Sequence, residues 1–258
     1  MRVHFLGTGT SFGVPVIGCG CAICTSSDPR DRRTRHGAVV EEGDRRFLVD
    51  TPPELRLQLV RAGIGSIDAV WYTHCHADHT HGVDDLRVFS VRNGSPLDVF
   101  ADTECRALLE RKFDYVFDPT LKPLEGTTKP EARLVEYHAY EPATVGGFEV
   151  LPLPVPHGRV SAYGFRVGAL GYITDAKRLP DRTREALAGV RVLVLNALWD
   201  GDPHPTHFNV EEAVDAAREV GAERTYLTHL SHRVGHRGLL DQLPAGIEPA
   251  YDGLVVEV

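Results

Sequence analysis

The sequence predicts an α/β fold with strands of mixed direction, and three observations predict it. Short β-rich runs recur and end on polar residues, helical segments separate them, and residues 145–167 alternate as antiparallel hairpins do. The hairpins argue against a purely parallel, doubly wound sheet. With 258 residues, 42% hydrophobic and 25% charged, the chain can bury a sizeable core, and it reads as one domain over residues 1–258.

The elements follow in order. A first apolar run, residues 3–6, stops at Gly7 and is too short for a signal-peptide core. Gly7, Gly9 and Gly13 then form a tight turn; Val14-Pro15 and a Cys-rich loop follow, whereas a nucleotide loop would open a helix or carry a Lys-Ser/Thr pair. Residues 46–49 run into Asp50. Thr51, Pro52 and Glu54 have the pattern of a helix start with a capping box, and Gly63 stops that helix. Residues 69–73 run into His74. Residues 102–116 suit a helix in which Cys105 is a small core residue. Residues 118–132, broken by three prolines and a glycine, form the longest loop.

Residues 148–153 lead on to His157, 171–174 deliver Asp175 and 192–195 deliver Asn196. Residues 179–188 are a further helix, and 200–208 a second loop. Asn209 and Glu212 open a helix whose apolar residues hold helical spacing up to Gly221. Residues 225–228 deliver His229. Six polar residues thus leave six strands at their C-terminal ends, where α/β sheets commonly place their sites.

A net charge of −8 argues against non-specific nucleic-acid binding. No apolar run approaches the roughly 18 residues of a membrane span, so no membrane partner is expected and the cytoplasm is the expected location. Self-association as a homodimer is left open. Three of the five cysteines, Cys19, Cys21 and Cys24, lie within six residues, a cluster that suits metal better than disulfides. Tetrahedral zinc needs a fourth ligand, which spacing alone does not choose among His36, His232 and His236.

The densest signal is Thr73-His74-Cys75-His76-Ala77-Asp78-His79, the pattern H-x-H-x-D-H. In an extended segment alternate side chains share a face, so His74 and His76 can share one metal while Cys75 faces away. Asp78 and His79 follow as the chain turns toward a helix and can reach a second. Imidazole and carboxylate suit zinc, iron or manganese better than calcium.

This motif resembles that of the metallo-β-lactamase superfamily, which implies an αββα four-layer sandwich with a two-metal site at the sheet edges. Asp50 in Leu-Val-Asp-Thr-Pro, His157 in Pro-Val-Pro-His-Gly, Asp175 in Ile-Thr-Asp and His229 in Leu-Thr-His match its other positions. The resemblance implies that His74, His76 and His157 hold one divalent ion, zinc or manganese. Asp78, His79 and His229 would hold the other, and Asp175 would bridge them.

Within the superfamily the chain is similar to the PhnP-like phosphodiesterases. The shared features are the opening Leu6 to Pro15, the Cys triad, Gly82-Val83-Asp84-Asp85-Leu86-Arg87, and Thr228-His229-Leu230-Ser231-His232. That likeness implies a structural zinc on Cys19, Cys21, Cys24 and His232. It also implies that His207, in Thr206-His207-Phe208-Asn209, contacts the substrate phosphate as general acid.

The expected reaction is attack by a metal-activated hydroxide on a small phosphodiester, with a cyclic sugar phosphate as one candidate. Asp78 and His207 are its expected catalytic residues. The alternatives are a thioester, lactone or β-lactam hydrolase, a tRNA 3′-processing type of nuclease, and a metal-binding protein without activity. The 118–132 loop carries two lysines against three acids, unlike the basic arm with which such nucleases grip RNA. The residues alone do not assign roles to His81, Asp84, Asp85 and Arg87.

Overall fold

The computed structural model describes residues 1–258. Its first half runs β1 (Arg2–Gly7), β2 (Gly37–Glu42), β3 (Arg45–Val49), α1 (Leu55–Ala62), β4 (Ala69–Trp71), α2 (Ala77–Thr80), α3 (Arg87–Asn93), β5 (Leu97–Ala101), α4 (Thr103–Lys112), α5 (Asp114–Phe117) and β6 (Ala132–Glu136). The second half runs β7 (Ala143–Val145), β8 (Phe148–His157), β9 (Val160–Val167), β10 (Leu170–Ile173), α6 (Asp181–Ala186), β11 (Val192–Asn196), α7 (Val210–Val220), β12 (Arg224–Thr228), α8 (His236–Gln242), β13 (Ile247–Pro249) and β14 (Val255–Glu257).

These strands form two seven-stranded sheets, β14-β1-β2-β3-β4-β5-β6 and β13-β12-β11-β10-β9-β8-β7. Each is antiparallel on one side and parallel on the other: β3 to β6 and β10 to β13 run parallel. The antiparallel β8–β9 ribbon pairs Leu151 with Arg166 through His157 with Val160, within the alternating stretch that predicts hairpins.

Alternation along the strands explains the layers. One face of each sheet supplies Val3, Phe47, Trp71, Phe148, Phe165, Tyr172 and Tyr226 to a shared core. The opposite face of the first sheet, with Leu48, Val70 and Val99, packs against Leu55 and Leu59 of α1, Phe89 of α3 and Leu109 of α4. Leu193, Leu195 and Leu227 on the outer face of the second sheet pack against Ala213 and Val214 of α7 and Leu239 of α8. The result is the expected αββα sandwich.

Two local expectations are corrected. Thr51 does not cap α1: its hydroxyl bonds the Tyr72 hydroxyl at 2.7 Å and donates to the Thr80 carbonyl, Glu54 pairs with Arg35, and the helix begins at Leu55. Tertiary partners outcompete the local cap. Cys105 is not a lone core residue. It is joined to Cys75, because the segment carrying Cys75 turns that side chain away from those of His74 and His76 and toward the first turn of α4, with the Cα atoms 5.1 Å apart.

Other local readings match the backbone. Gly63 ends α1 and Gly221 ends α7, both in left-handed conformation. The Asn209–Glu212 capping box is formed, with the Glu212 N–H donating to the Asn209 side chain at 2.8 Å and the Asn209 N–H donating back at 3.0 Å.

Candidate metal centre

The polar residues that end strands converge between the two sheets. Asp50, Asp175 and His229 follow β3, β10 and β12, and each has positive φ, 61°, 56° and 58°. That conformation is disfavoured for residues with a Cβ and clusters where a site needs a side chain turned sharply inward.

The H-x-H-x-D-H segment enters this space from β4. Its Asp50 brace is buried: the Thr73 N–H donates to Asp50 at 2.8 Å, and His79 Nδ1 donates at 2.6 Å, which turns His79 Nε2 inward. Likewise His157 Nδ1 donates to the Thr206 carbonyl at 3.2 Å, and His74 Nδ1 meets the Thr73 hydroxyl at 3.1 Å.

Two donor groups result. His74, His76 and His157 form the first, with His76 Nδ1 at 2.9 Å from His74 Nε2 and 3.2 Å from His157 Nε2. Asp78, His79 and His229 form the second, with an Asp78 oxygen 3.5 Å and 3.9 Å from the two Nε2 atoms. Asp175 faces both, 3.5 Å from His79, 3.3 Å from His229 and 3.9 Å from His157. The nitrogens His79 Nε2, His229 Nδ1 and His229 Nε2 are buried without a hydrogen-bond partner. Orphaned imidazole nitrogens facing carboxylates fit divalent cations, which satisfy them without protons.

The electrostatics are uneven. Burial acts to lower the pKa of His79, but Asp50, Asp78 and Asp175 outweigh it and hold it well above the ordinary value. Burial likewise acts to raise that of Asp175, and His229 and His79 reverse it, so that carboxyl is held well below its usual range. His74, His76 and His157 are pushed down by burial, which keeps them neutral and able to ligate.

His207 reaches this centre from the 197–209 loop, its Nε2 at 2.9 Å from Asp175 and its ring 4.8 Å from that of His157. Two further histidines are also here, His204 and His36, the second of which spacing offers as a zinc ligand. His36 is fully buried with its ring 5.5 Å from that of His79 and its Nε2 meeting the Tyr172 hydroxyl at 3.0 Å. His204 lies with its Nδ1 3.2 Å from that of His207. Its position three residues before His207 in one short loop was the available signal; His36 had none, since it follows β-bridged loop residues far from any motif.

Four undecided residues fall outside the donor groups. Arg87 pairs with Asp84 at 2.8 Å, Asp85 accepts from the Arg56 N–H, and His81 caps α2 with its ring against Phe113. Their contacts are structural.

A separate group joins Cys19, Cys21, Cys24 and His232. The three Sγ atoms lie 3.4, 3.5 and 3.6 Å from His232 Nδ1. Tetrahedral zinc with bonds of about 2.3 Å to sulfur and about 2.0 Å to nitrogen sets such pairs about 3.5 Å apart, so the donor set fits that ion. His36 and His236, the alternatives by spacing, are elsewhere: the first between the sheets, the second against Tyr251. The Cys24 N–H near the Cys21 sulfur brings that thiol down to about 6, whereas burial pushes Cys24 up to about 11.

Residues 45–230 match the family described as the Beta-lactamase superfamily domain. The chain is 37% identical over 98% of its length to an octanoyltransferase of Porphyromonas gingivalis, and spans about half, 51%, of that relative. Among solved structures it is similar to a diphosphatase from the PhnP family, with 39% identity, TM-score 0.90, and 100% and 97% of the two chains covered. It shares the fold of Zn2+-bound PqqB from Methylobacterium extorquens, at 19% identity, TM-score 0.79 and full coverage of both chains. No helix is long and apolar enough to cross a membrane. The chain belongs to the beta-lactamase superfamily, with the metallo-β-lactamase fold and a PhnP-like structure.

Proposed function

We propose that this protein is a binuclear metal-dependent phosphodiesterase acting on a small phosphoric diester, cyclic or linear, at the Asp175 centre. The observation that carries the reading is His207 Nε2 at 2.9 Å from Asp175, which sets a proton-carrying ring beside two donor groups that share one carboxylate. The diphosphatase at 39% identity supports phosphorus as the reacting atom and adds diphosphate esters to the candidates.

In this reading His74, His76 and His157 hold one divalent ion, Asp78, His79 and His229 hold the other, and Asp175 lies between. A zinc or manganese pair supplies a water of lowered pKa and stabilises charge on the phosphoryl oxygens. The chain's own residues do the rest. Asp50 accepts from His79 Nδ1 and so aims the Nε2 edge of that ring at the site. Asp78 completes the second group and, with Asp175, offsets cationic charge in a buried space. His207 holds the phosphate or gives a proton to the leaving oxygen. Cys19, Cys21, Cys24 and His232 hold a third, structural zinc.

The test is a substrate panel on protein of measured metal content: bis(4-nitrophenyl) phosphate, cyclic phosphates, diphosphate esters, lactones and an octanoyl thioester. The last is included because a relative at 37% identity is named for octanoyl transfer. Phosphodiester turnover that requires zinc or manganese and disappears in His76→Ala supports the reading. Fully loaded protein that cleaves only the thioester moves the assignment to acyl hydrolysis.

A further inference from the structure

Of the six polar residues that end strands, five supply donor atoms or hydrogen-bond a side chain that does, and Asn196 does neither. It is fully buried at the end of β11, with both arms of its side chain on one residue. Asn196 Oδ1 accepts from the Ala176 N–H at 2.7 Å, and Nδ2 donates to the Ala176 carbonyl at 3.1 Å. Ala176 follows Asp175. The main-chain ladder between β10 and β11 ends at Ile173 and Leu195, so the carboxamide pairs with the chain leaving β10 beyond the point where that ladder stops.

We infer that Asn196 is a positioning residue for Asp175: by clamping Ala176 it sets the direction of the Asp175 carboxylate between the two donor groups. This rests on the reading above in which each group holds a divalent ion and Asp175 lies between them. Asp175 stands at φ 56°, a conformation that persists in a residue with a Cβ only where its surroundings hold it. The peptide leaving Asp175 carries the Ala176 N–H, so the bond to Asn196 Oδ1 fixes the ψ of Asp175 directly. A carboxamide offers an acceptor and a donor side by side in one plane, the pair that the N–H and carbonyl of one residue require. The neighbouring bonds tie in the rest of the site. The Ala176 carbonyl also accepts from the Phe208 N–H at 2.8 Å, next to His207; the Lys177 N–H donates to the Pro156 carbonyl at 3.0 Å, next to His157; and the Ala197 N–H donates to the Thr228 carbonyl at 2.9 Å, next to His229. Asn196 thus stands where the segments carrying Asp175, His207 and His229 are fastened together.

If the clamp served folding alone, losing it would lower stability and leave bound ions unchanged. If it sets the carboxylate, losing it weakens the link between the two ions while the chain is still folded. Asn196→Leu keeps the approximate shape and loses both bonds. Asn196→Asp keeps the shape and the bond from the Ala176 N–H, but sets an anionic oxygen against the Ala176 carbonyl. An added negative charge by itself tightens cation binding, so weaker binding in Asn196→Asp comes from the direction of Asp175 and not from charge.

The experiment uses the full chain with about one equivalent of zinc for the cysteine cluster and manganese as the probe of the other two groups. Manganese titration and electron paramagnetic resonance compare the native protein, Asn196→Leu, Asn196→Asp and, as a control for lost stability, Val99→Ala in the outer core of the first sheet. The native protein should bind a pair of manganese ions with the spectrum of a spin-coupled pair. In Asn196→Leu the weaker ion should bind about 10- to 100-fold less tightly and the spectrum should pass to that of uncoupled ions; Asn196→Asp should move the same way by less. Val99→Ala should keep both native readouts at its lower stability. A native isotherm and coupled spectrum in either folded Asn196 variant would overturn the inference, with Asn196→Asp deciding if Asn196→Leu does not fold. The same losses in Val99→Ala would also overturn it, because they would trace the change to stability. If the native protein itself shows no coupled pair, the two-ion reading fails and the inference goes with it.

Discussion

Asp50 shows how one carboxylate can organise a site it does not complete. Buried and turned by a positive φ, it receives the Thr73 N–H and His79 Nδ1 and thereby aims His79. Asp50→Asn should keep the Thr73 contact through its amide oxygen but set an N–H against His79. Affinity for a divalent ion at the Asp78, His79 and His229 group should fall by about 10- to 100-fold, read by metal titration; an unchanged isotherm would sink this account. At the cysteine cluster the sign of the pH effect follows from Cys21. Its lowered pKa means that the thiolate persists above about 6 and takes up a proton as pH falls through that value. Zinc release to a chelator should therefore speed up as pH falls, and a release rate that does not rise on acidification would contradict it.

At the scale of elements, α7 couples stability to the site. Its capping box fixes the helix start, and the Asn209 side chain also donates to the Gly201 carbonyl across the loop that carries His204 and His207. Asn209→Ala should cost about 1 kcal/mol of stability, seen in chemical denaturation, and lower kcat as the loop loosens. Native kcat in a destabilised variant would separate the helix cap from the site. The same element shows what local patterns can tell. Glu212 also accepts from Lys177 at 2.5 and 2.8 Å, yet one of its oxygens still takes the Asn209 N–H, so the cap forms as its spacing predicts; the Thr51 hydroxyl is taken by Tyr72 and Thr80 and Glu54 by Arg35, and theirs does not.

Over the whole molecule, the two sheets meet through their end loops. Arg33 is almost fully buried and donates to the carbonyls of Ser231 at 2.8 Å and Val234 at 2.9 Å, while Asp31 accepts from the His236 N–H at 2.7 Å. These bonds fasten the N-terminal loop with its cysteines to the segment that holds both His229 and His232. Arg33→Met should destabilise by about 3 kcal/mol, because two buried carbonyls lose their donors, and should weaken metal loading at both centres. Cys21→Ser should remove about one equivalent of zinc per chain and lower the melting temperature; unchanged stoichiometry would refute a structural ion there.

The sequence by itself determined what lies close along the chain. The H-x-H-x-D-H segment, the polar residues at strand ends, the Asn209 cap and the stops at Gly63 and Gly221 all depend on backbone geometry over a few residues, and that geometry is legible in spacing. Only the tertiary structure decided which distant groups close each cluster. His232 reaches Cys19 across 213 positions, Cys105 reaches Cys75, and His36 comes to lie behind His79. The contact between His204 and His207 spans three residues, yet the fold alone sets Asp175 and His157 against the same His207 ring. The physical reason is the same throughout. Local bonds are set by chain stereochemistry, whereas long-range ones exist only once two sheets have buried their inner faces and brought their end loops together.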